Sequence, residues 1–313
     1  PGSEPLTLRA SDGVTLRAAR RPAEGAPRGV ALVLHGRTEF LEKYAGTSAD
    51  LAARGFEVWS TDWRGQGGSR RPLADARKGH VGDFAEYQRD VAALAAASAG
   101  TAGPRLVLAH SMGGAIALRA LAERTVAASA AIFSAPMWGL TLPPLQRLTA
   151  RFICRAAVAL GLGEAYVPGG GGPEPYAFKG FEGNALTGDR EAFDGIVAQV
   201  RGAGARALGG PTFGWLHAAF REMAALERVR TPCPALVLVG EEECVVDPGA
   251  IRTRAARDGL RHALIPHARH ELFYEAPARR AAVWAEIDLF LEAAFPRPRA
   301  AHGEPDAAQG SAS

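Results

Sequence analysis

The chain has 313 residues, of which 47% are hydrophobic and 22% charged, with a formal charge of +3. A sizeable core can be buried, in one α/β unit carrying an insertion or in two small units. The lack of a dense Lys/Arg block argues against a dedicated nucleic-acid binder, while the mildly basic balance is compatible with an anionic lipid surface.

Three irregularly spaced cysteines, Cys154, Cys233 and Cys244, suggest neither a disulfide framework nor a zinc site. No apolar run reaches the 18 residues of a membrane span, and "PGSEPLTLRASDG" lacks the charged-then-apolar pattern of a leader. A cytoplasmic protein, able to lie peripherally at a membrane, is the expectation.

In chain order, "EPLTLRASDGVTLRAARRP" predicts a hairpin turning at Asp12-Gly13. "GVALVLHG" is a continuous apolar run, as in a strand buried on both faces of a parallel sheet. "DLAARG" predicts a helix end with Gly55 as its cap, before the strand "FEVWSTDW". "DFAEYQRDVAALAAAS" has helical spacing, with Asp83 as candidate N-cap. "RLVLAHS" and "ASAAIFSAP" are strands separated by a helix from Met112 to about Arg124. "PALVLVGEEE" and "HALIPHA" are the last strands, and a helix over about 277–295 follows.

This alternation predicts an α/β fold with a mainly parallel sheet flanked by helices. Residues 1–136 and 231–295 form the expected core. Residues 137–230 carry helical segments and no obvious buried strand, and are expected to form a helical cap or lid. Within them, "VPGGGGPEPY" predicts a flexible hinge or exposed loop. The tail 296–313, rich in Pro, Ala, Gly and Ser, is expected to be disordered.

The chemistry centres on "RLVLAHSMGGAIALRALAER", where a strand runs into a helix with Ser111 at the junction. A nucleophile elbow needs that sharp turn, with small residues around the serine. Gly113 and Gly114 supply them, and Ala109 adds one methyl where glycine is usual. An ordinary turn with a capping serine is the competing reading. The order Ser, acid, His favours the elbow: Glu241, Glu242, Glu243 and Asp247 follow the strand "LVLVG", and His270 lies after the last strand. The oxyanion hole needs two backbone N–H groups, for which Met112 and Arg37 are the candidates.

Together, "LVLHGRTEFLEKY", "TDWRGQGGSRR", "GHVGDFAEYQRDV", "AHSMGGAIA", "VGEEECVVDP" and "ARHELFYE" resemble the serine-aminopeptidase-like α/β-hydrolases. Within them they are most similar to the bacterial lysophospholipase L2 and monoacylglycerol lipase group. The resemblance runs from about Leu6 to Phe295 and is weakest across the insertion. It implies the α/β-hydrolase fold, Ser111 as nucleophile, His270 as general base, and an oxyanion hole built by Arg37 and Met112. It places the acid three residues after Gly240, at Glu243, with Asp247 as the alternative; "VVDP" suggests instead that Asp247 caps the next helix.

Asp62 and Arg64 are expected to order loops. Glu39 and His80 are expected to do the same, and with Arg64 are also the candidates to face substrate. His267 is a rival base, and Trp215 and His217 could line a pocket. The implied activity is hydrolysis of monoacyl-lipid esters through an acyl-enzyme, without metal or cofactor. The alternatives are a carboxylesterase for small esters and a non-catalytic binding protein. Arg147, Arg151 and Arg155, at four-residue spacing, would lie along one helix face, suited to an anionic membrane or a lipid phosphate.

Overall fold

A computed structural model of the chain describes residues 2–296. The tail expected to be disordered therefore lies, apart from Pro296, outside the described residues. The eight strands are β1 (Glu4–Arg9), β2 (Thr15–Arg21), β3 (Gly29–Leu34), β4 (Phe56–Thr61), β5 (Arg105–His110), β6 (Ala130–Ser134), β7 (Ala235–Gly240) and β8 (Arg261–Ile265). They form one sheet in the order β1-β2-β4-β3-β5-β6-β7-β8. The β1–β2 hairpin and the β2–β4 pair are antiparallel, and every other pair is parallel.

The buried strands carry unbroken apolar runs because both faces are covered. All residues of β3, β4, β6 and β7 are buried. On one face Leu32, Val107, Phe133 and Val237 pack with α2 (Ala85–Ala97), α3 (Met112–Ala122), α6 (Phe213–Leu226) and α7 (Pro248–Asp258). On the other, Val33, Leu106, Ile132 and Leu236 pack with α1 (Ala45–Ala53) and α8 (Pro277–Ala294). Gly55 follows α1 with φ +88°, the left-handed backbone that favours glycine after a helix.

Residues 137–230 hold α4 (Pro144–Ala159), α5 (Arg190–Ala203) and α6. Helix α6 has two allegiances. Ala218, Ala219, Met223 and Leu226 join the main core, and α4 packs along it from outside. The glycine run is a loop, as expected, and Gly169, Pro173 and Glu174 are exposed, but Gly170, Gly171 and Gly172 are half-buried. Gly210 N–H donates to the Gly172 carbonyl at 2.7 Å, and Cβ atoms on Gly209 or Gly210 would strike the backbone of 170–173. The glycines are there because two backbone segments touch.

Candidate active site

The C-terminal ends of β3, β5, β7 and β8 converge, where ligands bind in sheets of this kind. Ser111 follows β5 and precedes α3, with φ +52° and ψ −120°. A non-glycine residue in that region is strained and needs its surroundings to hold it. Gly113 and Gly114 allow the hold: a Cβ on Gly113 would run into the carbonyls of Leu34 and His35, and one on Gly114 into Pro136. Ala109 is fully buried between Leu34 of β3 and Phe133 of β6, so its methyl is absorbed by the core. The Ser111 side chain does not cap α3.

Instead, Ser111 Oγ lies 3.0 Å from His270 Nε2, and His270 Nδ1 lies 2.8 Å from Glu243 Oε2. The other Glu243 oxygen accepts from the N–H groups of Val245 (2.7 Å) and Val246 (3.1 Å). Burial works against the Glu243 charge, but His270 and those two N–H groups outweigh it and hold the carboxyl below its ordinary pKa. Burial likewise works against the imidazolium of His270. The charge and hydrogen bond of Glu243, with Glu271 and Glu39 behind, outweigh it and raise the histidine.

Asp247 stands elsewhere. Its Oδ1 caps α7 by accepting from Gly249 (2.9 Å) and Ala250 (3.1 Å), and Oδ2 meets Arg147 at 3.2 Å. His267 is exposed, beside Glu241 and Glu242.

The loop after β3 presses against the serine: a Cβ on Gly36 would lie 3.1 Å from Ser111 Cβ. Among the described residues, the N–H groups of Arg37 and Met112 donate to no protein acceptor. They remain available beside the serine, as an oxyanion requires. The Arg37 guanidinium points away from that role. It donates to the carbonyls of Gly209 (3.1 Å) and Gly210 (2.9 Å) and stacks on Trp215 at 4.8 Å, tying the loop to the 137–230 segment.

Glu39 organises the loop from below. One carboxylate oxygen accepts from Gly36 N–H and from Tyr44 Oη (2.8 Å); the other meets Lys43 Nζ at 2.5 Å. Lys43 also reaches Glu271, at 2.6 Å. His110 stacks near His270, with ring centroids 4.8 Å apart, and faces Glu271 at 3.7 Å. Burial pushes His110 down towards its neutral form, despite the nearby carboxylates. Glu39, His110 and Glu271 bring potential metal-ligating atoms within 4.8 Å of one another, but here the Lys43 ammonium bridges the two carboxylates. Sequence reasoning singled out Glu39 alone from this cluster. The i,i+4 pair Glu39/Lys43 in "TEFLEKY" and the glutamate adjoining His270 were its available signals.

His80 is not brought to this cavity. Its Nδ1 lies 2.8 Å from Thr212 Oγ1, so it is engaged at the N-cap of α6. Asp62 and Arg64 act on loops: Asp62 accepts from Leu41 (2.8 Å) and Gly68 (2.6 Å), and Arg64 pairs with Asp90 (2.7 Å) and Asp12 (2.7 Å).

Over the serine lies a cavity of about 350 Å³. Its apolar wall includes Phe40, Met137, Leu186, Ile196, Leu208 and Trp215; Glu39 lies at its polar end. His217 is not part of it and lines a separate outer cleft.

Comparison with known proteins agrees with this fold. The family model described as serine aminopeptidase, S33, matches residues 25–277. Lysophospholipase L2 of Escherichia coli K12 is 32% identical over 297 residues, covering 89% of this chain and 85% of that protein. A probable lysophospholipase L2 of Haemophilus influenzae is 30% identical over 273 residues, covering 86% and 85%. Among solved structures, a soluble variant of monoglyceride lipase from Saccharomyces cerevisiae with a substrate analogue has a TM-score of 0.73 at 19% identity, covering 93% and 97%. The chain belongs to the serine aminopeptidase S33 family of α/β-hydrolases.

Proposed function

We propose that the protein is a serine ester hydrolase of monoacyl lipids, of the lysophospholipid or monoacylglycerol class. The observation that carries the reading is the Ser111–His270–Glu243 relay opening into a largely apolar cavity. The relatives named for lysophospholipase activity support the substrate class.

Ser111 Oγ attacks the ester carbonyl while His270 Nε2 takes its proton. Glu243 holds the imidazole's Nδ1–H and stabilises the imidazolium. The N–H groups of Arg37 and Met112 receive the oxyanion. His270 returns the proton to the leaving alcohol, then activates water to release the fatty acid. Residues 137–230 act as the cap that shapes the acyl site.

The same reading includes peripheral membrane contact from the cytoplasmic side. Helix α4 buries Cys154 and Ala157 yet exposes Leu145 (75%), Leu148 (65%) and Phe152 (71%) on its other side. A helix apolar on two faces is suited to a core within and a lipid surface without. No helix among the described residues is long and apolar enough to cross a membrane.

The test is fatty-acid release from lysophospholipids, monoacylglycerols and short nitrophenyl esters, with Ser111→Ala as control. Release from the monoacyl lipids, lost in the variant, is expected. Release from short esters alone would overturn the lipid reading in favour of a carboxylesterase.

A further inference from the structure

Helix α6 has a cavity on each side. Trp215 and Leu216 line the catalytic cavity. His217, Phe220 and Arg221 line a second, open cleft of about 550 Å³, whose other wall is Leu148, Arg151, Phe152 and Arg155 of α4. The two helices thus enclose three guanidinium groups and three apolar side chains outside the catalytic centre.

The charges in this cleft are poorly matched. Among the described residues, Arg151 and Arg155 form no ion pair, and Arg221 meets Asp83 at 3.3 Å with both side chains substantially exposed. The nearby Glu222 is engaged by Arg119. Of the three arginines expected on one face, Arg147 is engaged by Asp247 and by the carbonyls of Leu140 and Leu142, which leaves Arg151 and Arg155 to the cleft. Burial lowers the pKa of His217, and the charges of Arg221 and Arg155 lower it further, which places both guanidinium groups within electrostatic reach of this wall.

We propose that this cleft binds the phosphate of an anionic glycerophospholipid in a bilayer. Guanidinium forks fit phosphate oxygens in planar, bidentate pairs. Leu148, Phe152 and Phe220 offer apolar surface beside the charge, matching the glycerol and upper acyl carbons next to a lipid phosphate. The exposed Leu145 and Phe152 of the same helix would enter the bilayer at headgroup depth. The cleft then anchors the protein by one lipid while the catalytic cavity, behind α6, takes another. The proposal rests on the membrane-contact reading but not on the substrate assignment: it is read by binding, so failure to hydrolyse monoacyl lipids leaves it standing.

The full chain is co-sedimented with phosphatidylcholine vesicles, with and without phosphatidylglycerol. Preference for the anionic vesicles is expected, and R151Q/R155Q should lose about 30-fold in affinity for them. The same variant should keep its melting temperature and its rate on a short nitrophenyl ester. A charge-matched control, R9Q/R252Q on β1 and α7, should retain vesicle binding. Equal binding to both vesicle types, an unchanged R151Q/R155Q variant, or an equal loss in the control would each overturn the proposal. Inorganic phosphate is the remaining arm, against chloride at matched ionic strength. Saturable thermal protection by it, lost in R151Q/R155Q and without any vesicle binding, would assign the cleft to a soluble phosphate ligand and overturn the lipid source.

Discussion

Lys43 and Arg155 carry the same charge in opposite surroundings. Lys43 is buried beneath the candidate catalytic histidine, and both carboxylates it touches are buried with it. Arg155 stands exposed on α4, with no carboxylate partner among the described residues, above apolar side chains that also face outward. The floor of the site obeys the rule that buried charge must be paired and hydrogen-bonded. The outer face leaves charge and apolar surface unmatched, an arrangement that suits a partner the chain does not itself supply. A site that must hold a serine in strained backbone needs a closed, satisfied floor; the surface proposed to meet lipid does not.

Substitutions at the floor should cost the most. Ser111→Ala should lower kcat by about 10⁶-fold on any ester the protein cleaves. A residual rate within tenfold of the parent would remove Ser111 from the chemistry. Glu243→Gln preserves shape but not charge, and should cost about 10⁴-fold in kcat by favouring the wrong imidazole tautomer. Asp247→Asn gives the contrast. Its carboxylate caps α7, so kcat should stay within a few fold while stability falls by about 1 kcal/mol or less. Reversed effects in the two variants would move the acid to Asp247.

Glycines compare the floor and the 137–230 segment by stability. Gly113→Ala would drive a methyl into the Leu34 and His35 carbonyls. Because the obstacle is backbone, a loss of about 3 kcal/mol is expected, at the upper end for overpacking. Gly195 lies inside α5, and a Cβ there would meet nothing within 4 Å. Gly195→Ala should therefore stabilise by about 0.5–1 kcal/mol through helix propensity. Denaturant unfolding of both variants measures the difference, and equal effects would mean that the floor has slack.

Much of the floor was legible in the sequence because its constraints are local. A buried parallel strand must be apolar throughout, as "GVALVL" is, and an elbow must carry small residues, as "HSMGG" does. The candidate acid is harder to read: four carboxylates follow β7, and the residues alone do not choose among them. Backbone N–H groups decide the geometry, with Val245 and Val246 orienting Glu243 while Gly249 and Ala250 claim Asp247. His80 orders a loop, as expected, but its partner Thr212 and the contact of the glycine run with Gly209 and Gly210 are fixed by long-range packing that local sequence does not carry. Helical spacing put Arg147 with Arg151 and Arg155. A 3.6-residue period carries every fourth residue about 40° round the helix, and that drift turns Arg147 towards Asp247.

A subtler change probes how the floor acts on the chemistry. In the proposed mechanism His270 must be neutral to accept the serine proton, so activity should fall as pH drops through its pKa. Glu243, Glu271 and Glu39 raise that pKa against burial. The acid limb of kcat/KM should therefore lie above the ordinary histidine value of about 6.5. Glu271→Gln removes one of the raising charges and should move the limb to lower pH. A larger share of neutral imidazole then remains in mild acid, and relative activity there should rise by up to a few fold over the parent. Activity at high pH, where His270 is already neutral in both proteins, gives the plateau for normalising the profiles. A limb that stays in place while the plateau falls would mean that Glu271 only anchors Lys43, and that its charge does not reach the candidate catalytic histidine.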